Sequence, residues 1–187
     1  MFKAIVAAAA LSIAAIVPAG ALTINYSPTP SVAFSNPLAD SFTGTINENV
    51  TDPGLVPGVR RSPWEGTALD GSVYSSITGT ATYVFDSLRT SFSLVWGSPD
   101  SYNSLQFFNG STLVATVLGS SITGCCGGNV PSSLVTIADL QFDSVVFVSS
   151  TAAFEYANIS AVPLPAGGLL LIGGLAGLAA LRRRKAA

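Results

Sequence analysis

The chain has 187 residues, a formal net charge of −2 and no histidine, with only 10% charged residues. Three of its eight basic residues and all ten acidic ones lie between Leu22 and Ala161, which leaves that segment at −7. Without histidine, Ser-His-Asp, Cys-His and His-ligated zinc chemistry are excluded, and so acidic a segment is a poor match for nucleic acid or anionic lipid.

The N-terminus, MFKAIVAAAALSIAAIVPAGALT, places one charge at Lys3 before an apolar run from Ala4 to Val17 and the small triad Ala19-Gly20-Ala21. This is the pattern of a secretory signal peptide, residues 1–21, with cleavage after Ala21. The run falls short of the roughly 20 apolar residues that a permanent span needs.

From Leu22 to Ala161 the chain reads as one all-β domain. Short stretches rich in Val, Ile, Thr, Ser and aromatics alternate with Gly, Pro, Asn and Asp, and nothing sustains a helical period. Leu22–Tyr26, Ser31–Ser35 and Ser41–Ile46 are expected as early strands. The stretch ENVTDPGLVPGVRRSPWEG is expected as a long irregular connection. Strands resume at Ser72–Ile77, Thr80–Phe85 and Ser91–Trp96, where the alternation of Phe92, Leu94 and Trp96 predicts one buried face. Asn109-Gly110 predicts a type I′ turn joining Ser104–Phe108 to Ser111–Val117. After the loop TGCCGGN come strands near Ser133–Ile137, Ser144–Val148 and Ala153–Ile159. About ten short strands without helices predict a two-sheet antiparallel β-sandwich, jelly-roll-like, with an immunoglobulin-like arrangement as the alternative. There is no repeat of fixed period, although FDS occurs at Phe85–Ser87 and again at Phe142–Ser144.

The tail, residues 162–187, has three parts in order: Val162-Pro163-Leu164-Pro165-Ala166, an apolar or glycine run to Leu181, and the cluster Arg182, Arg183, Arg184 and Lys185. The 16 residues from Ala166 to Leu181 would make a helix long enough to cross with help from its flanks, at about 1.5 Å per residue against a core of about 30 Å. The basic cluster would hold the C-terminal end in the cytoplasm. The prolines keep the preceding motif extended, a form that a processing enzyme can grip. A plain C-terminal anchor is the simplest physical alternative.

These three parts together resemble the PEP-CTERM class of sorting tails in its VPLPA variant. The resemblance implies transient anchoring in the inner membrane of a Gram-negative bacterium, recognition by an exosortase-type membrane enzyme, and delivery to the cell surface or an exopolysaccharide matrix. The stretches SFSLVWGSPDSYNSLQFFNGSTLVATVLG and AFEYANIS are similar to parts of many exosortase-dependent surface proteins, whose domains are generally of unassigned biochemical role.

Within the domain, the loop GSPDSYNS gathers Asp100, Tyr102 and Asn103 beside Trp96. An aromatic face can stack on a sugar ring while Asp and Asn bond its hydroxyls, so this loop is the candidate glycan site, with turn chemistry as the alternative. Calcium is the metal best suited to oxygen donors such as Asp40, Asp100, Asp143 and Glu155, but no EF-hand loop is present and no cofactor is expected. A carboxylate pair could support glycoside cleavage, yet scattered acids on a β domain are more often solvated surface. The expectation is therefore a non-enzymatic protein, with carbohydrate binding as the alternative role. Cys125 and Cys126, adjacent and flanked by glycines, are candidates for a vicinal disulfide or a link between chains in an oxidising compartment.

Overall fold

The computed structural model describes residues 22–122 and 132–163. The expected signal peptide with Ala21, the pair Cys125 and Cys126, and the residues from Leu164 onward, including Pro165, Ala166 and Arg182 to Lys185, lie outside the described residues. Among the described residues the chain is all-β, with one three-residue 3₁₀ turn at Gly119–Ser121. No helix among them is long and apolar enough to cross a membrane.

Eight strands form: β1 (Thr23–Ser27), β2 (Ser41–Val50), β3 (Leu55–Val56), β4 (Arg60–Arg61), β5 (Tyr74–Gly97), β6 (Asn103–Asn109), β7 (Thr112–Leu118) and β8 (Ser133–Pro163). Six of them make one antiparallel sheet in the order β2-β5-β8-β6-β7, with β1 added to β8, while β3 and β4 form a separate small ladder. Two strands dominate, β5 with 24 residues and β8 with 31.

Each of the long strands replaces three expected short ones. The apparent break at Gly79 is a close strand crossing. Gly79 (φ +116) pairs with Gly44 (φ +79), and a Cβ on either would lie 2.1–2.2 Å from the partner strand's carbonyl oxygen. Only glycine fits there, so the gap between the expected strands Ser72–Ile77 and Thr80–Phe85 lies within one continuous strand. The two FDS segments meet at the bend in the β5/β8 ladder, where the register shifts between Val84 and Arg89 and the rings of Phe85 and Phe142 stand 5.7 Å apart.

Beyond that bend β5 is flanked by β8 on both sides. Phe92 pairs with Ile137 and with Ala161, and Trp96 with Ser133 and with Tyr156. Phe92, Leu94 and Trp96 are fully buried as the alternation requires. They enter a core rich in edge-to-face aromatic contacts, with Phe92 5.6 Å from Phe107 and 6.1 Å from Phe147, and Trp96 stacked on Phe154 at 4.4 Å. Val95 faces the other way, into a smaller cluster with Trp64, Tyr74 and Ala157. Residues 51–73 therefore cover the outer face of this part of the sheet. Their anchor is Trp64, whose indole N–H donates to the Val73 carbonyl at 3.0 Å.

Ser31–Ser35 is not a strand. It belongs to an extended strap whose backbone finds side-chain partners in place of a ladder: the Phe34 N–H donates to Asn158 Oδ1 at 2.9 Å, and Asn158 Nδ2 donates to the Val32 carbonyl at 2.7 Å. Buried Asn36 completes the latch by donating to the Ser75 hydroxyl and accepting the Ile159 N–H. The β6–β7 hairpin forms as expected, but its turn differs. Gly110 has φ +58 whereas Asn109 does not enter the positive region, so the two successive positive-φ residues of a type I′ turn are not present. Asn109 instead closes the ladder opposite Thr112, and the Gly110 N–H is taken by Asp143 at 2.8 Å.

Candidate binding cleft

Glu155 is placed by the crowding of β5 and β8. It pairs with both Ser76 and Gly97, so β5 flanks it twice, and it is 3% exposed. The missing side chain at Gly97 makes room for it, since a Cβ there would stand 3.0 Å from the Cβ atoms of Glu155 and Pro63. Beside it opens a cleft of about 240 Å³ with three walls. One is the β3–β4 hairpin with Arg60 and Arg61, the second is the loop after β5 with Asp100 and Tyr102, and the third is β8 from Ala152 to Glu155.

The hairpin wall is the part of the 48–66 stretch expected to be irregular. Its cations are both engaged. Arg60 pairs with Asp52, an interaction that raises its already high pKa, and Arg61 Nε lies 2.9 Å from Glu65 Oε2. The Arg61 backbone N–H donates to Glu155 Oε1 at 2.8 Å and ties the wall to the sheet.

On the loop wall, Tyr102 donates its hydroxyl to Asp100 Oδ2 at 2.7 Å, and the same hydroxyl lies 3.4 Å from the Ala152 carbonyl. Burial and then the Asp100 carboxylate keep that phenol protonated, raising its pKa well above the usual value. Asp100 also accepts the Asn103 N–H through its backbone carbonyl at 3.0 Å, closing a turn. The loop is thus both a turn and a cleft wall.

Burial is the largest influence on Glu155, and it pushes the carboxyl from 4.5 to about 8. Hydrogen bonds from the Arg61 and Glu155 backbones oppose the shift. Of the two charges that act on it, repulsion from Asp100 exceeds attraction by Arg61.

One member of the expected glycan site, Asn103, and the neighbouring Trp96 are not available to a ligand. Asn103 begins β6 and is buried, accepting the Ser149 hydroxyl at 2.8 Å. Trp96 is sealed in the core against Phe154. Of the four oxygen donors considered for calcium, Asp100 and Glu155 line the cleft together. Asp40 and Asp143 cap backbone elsewhere, accepting the N–H groups of Val84 and Gly110. Among the described residues no three His, Cys, Asp or Glu side chains come close enough to hold a metal ion.

The chain matches no protein-family model, no curated protein and no solved structure.

Proposed function

We propose that this chain is an exported, non-enzymatic protein of the cell surface or exopolysaccharide matrix of a Gram-negative bacterium, anchored transiently in the inner membrane and processed by an exosortase-type enzyme. The observation that carries the reading is the order of three parts in the tail sequence: Val162-Pro163-Leu164-Pro165-Ala166, whose first two residues end β8, then the short apolar run and the Arg182–Lys185 cluster. A signal sequence at the other end and an acidic β domain between them agree with export. We read that domain as a jelly-roll-like sandwich. Support comes from the way β5 and β8 pair in separate blocks on either side of the bend while their side chains share one aromatic core.

Mass spectrometry of the mature C-terminus in cells that contain the native sorting enzyme tests the processing. Wild type should lose an epitope placed after Ala187, and a Pro163→Ala, Pro165→Ala double variant should keep it, because apolar length is unchanged while the proline motif is removed. An epitope retained by both would leave a plain anchor.

A second reading, carbohydrate binding, is favoured by the cleft. It sets the ring of Tyr102 and the oxygens of Asp100 and Glu155 around a space smaller than the roughly 300–1,000 Å³ typical of drug-sized ligands. Such a space suits a single sugar unit of a polymer. Retention of the full chain on purified exopolysaccharide, lost in an Asp100→Asn, Tyr102→Phe variant with unchanged melting temperature, is the expected result. Equal retention by that variant would remove the cleft from the reading.

A further inference from the structure

The cleft has basic and acidic groups on its walls, and only the basic ones are in ion pairs. The ion pairs of the described residues join Arg60 to Asp52, Arg61 to Glu65 and Arg89 to Asp86, and none includes Asp100 or Glu155. The donors that meet these two acids are uncharged: the Tyr102 hydroxyl for Asp100 and the Arg61 backbone N–H for Glu155. Glu155 is nine-tenths or more buried and still lines the cleft. A buried carboxyl left without a countercharge is unfavourable when ionised, and a cation entering from solvent would relieve it. The domain's charge of −7 draws cations toward the same surface.

We propose that the cleft seats an amino-sugar unit of a cationic polysaccharide, with its ammonium group held between the carboxylates of Asp100 and Glu155. This names the ligand class of the carbohydrate-binding reading and rests on it. A neutral sugar would leave Asp100 without a countercharge and Glu155 protonated. An anionic sugar would bring a second negative charge beside Asp100, while Asp52 and Glu65 pair with the two guanidinium groups. An ammonium supplies three N–H donors, and the ring of Tyr102 offers the sugar an apolar face.

Binding has a protonic signature. Empty, the cleft keeps Glu155 protonated up to about pH 8, under burial and the charge of Asp100, against the opposing influence of Arg61. Tyr102 stays neutral, and Arg60 stays charged and paired with Asp52. When the ammonium arrives with its own proton, Glu155 ionises and its proton leaves to buffer.

The test is isothermal titration of the full chain with three oligosaccharides of equal length: glucosamine, N-acetylglucosamine and galacturonic acid oligomers, each in two buffers of different ionisation enthalpy. The glucosamine oligomer should bind at least about tenfold tighter than its acetylated counterpart, with proton release at acidic pH, where the amine is already charged and Glu155 is still protonated. Asp100→Asn and Glu155→Gln should each weaken it by about tenfold, and Glu155→Gln should abolish the proton release. Near-ultraviolet circular dichroism of each variant establishes that it is folded. Equal binding of glucosamine and N-acetylglucosamine oligomers, reduced alike by both variants, overturns the ammonium site and leaves a glycan site. Glucosamine binding untouched by either variant also overturns it. If none of the three oligomers binds, the carbohydrate reading fails with it.

Discussion

The aromatic core under β5 and β8 and the cover formed by residues 51–73 solve the same problem in different ways. In the core, Phe92, Phe107, Phe142 and Phe147 meet edge to face with centroids 5.0–6.2 Å apart, and β-strand ladders hold every element. The cover has two strands of two residues each, one buried tryptophan and two ion pairs. The difference shows where adaptability is kept. The sheet fixes Glu155 to the fold, whereas the opposite wall of the cleft rests on interactions that solvent and salt weaken.

The sharpest way to break this comparison is to truncate each side. Phe92→Ala, at the centre of the core, should cost about 3–5 kcal/mol in urea unfolding, because four rings around it lose contacts that a cavity cannot return.

Glu155 couples the two regions, and its titration should reveal it. Its folded pKa of about 8 lies above the 4.5 of an exposed glutamate, so between those values the folded chain binds more protons than the unfolded one. Stability is fully present below about pH 4.5, falls as pH rises toward about 8, and levels off above that. Thermal melts across this range should show a decline that Glu155→Gln flattens, making the variant the more stable protein at alkaline pH. An unaltered slope in the variant would assign the decline to another group.

At the small end, Asp52→Asn removes the partner of Arg60 on the cover. It should lower stability by less than about 1 kcal/mol, since the Asp52 side chain is 43% exposed. Trypsin should nevertheless cut faster after Arg60 or Arg61, as the hairpin opens locally without the sheet. A loss as large as that of Phe92→Ala would place the cover within the cooperative core.

Local signals were legible in the sequence and distant ones were not. The alternation of Phe92, Leu94 and Trp96 needs only a pleated strand with one buried face, and Asn109-Gly110 needs only a tight reversal, so both elements were readable. The continuity of β5 was hidden because Gly79 serves an approach to Gly44, 35 positions earlier, and a lone glycine in a strand pattern also resembles a break. The cleft divides in the same way. Asp100 and Tyr102 lie on one short loop and could be read as neighbours. Glu155 and Arg61, 94 positions apart, meet only through the pairing of β8 with β5. Asn103 misled because sequence proximity to a loop does not reveal which side chain the next strand buries.

The last described strand is also the partner of β1, β5 and β6, and the strap at Phe34 and Asn36 latches onto residues 124 and 123 positions later. The β2/β5 and β6/β7 ladders can close before it, but the ladders that join them into one sheet wait for that final segment. Folds dominated by such distant pairings form slowly, because loop closure must precede the contacts that reward it. A chain built in this order has no complete sheet until its last strand has been made. The topology acts as its own timer, delaying the finished sheet until the strand that joins its parts is present.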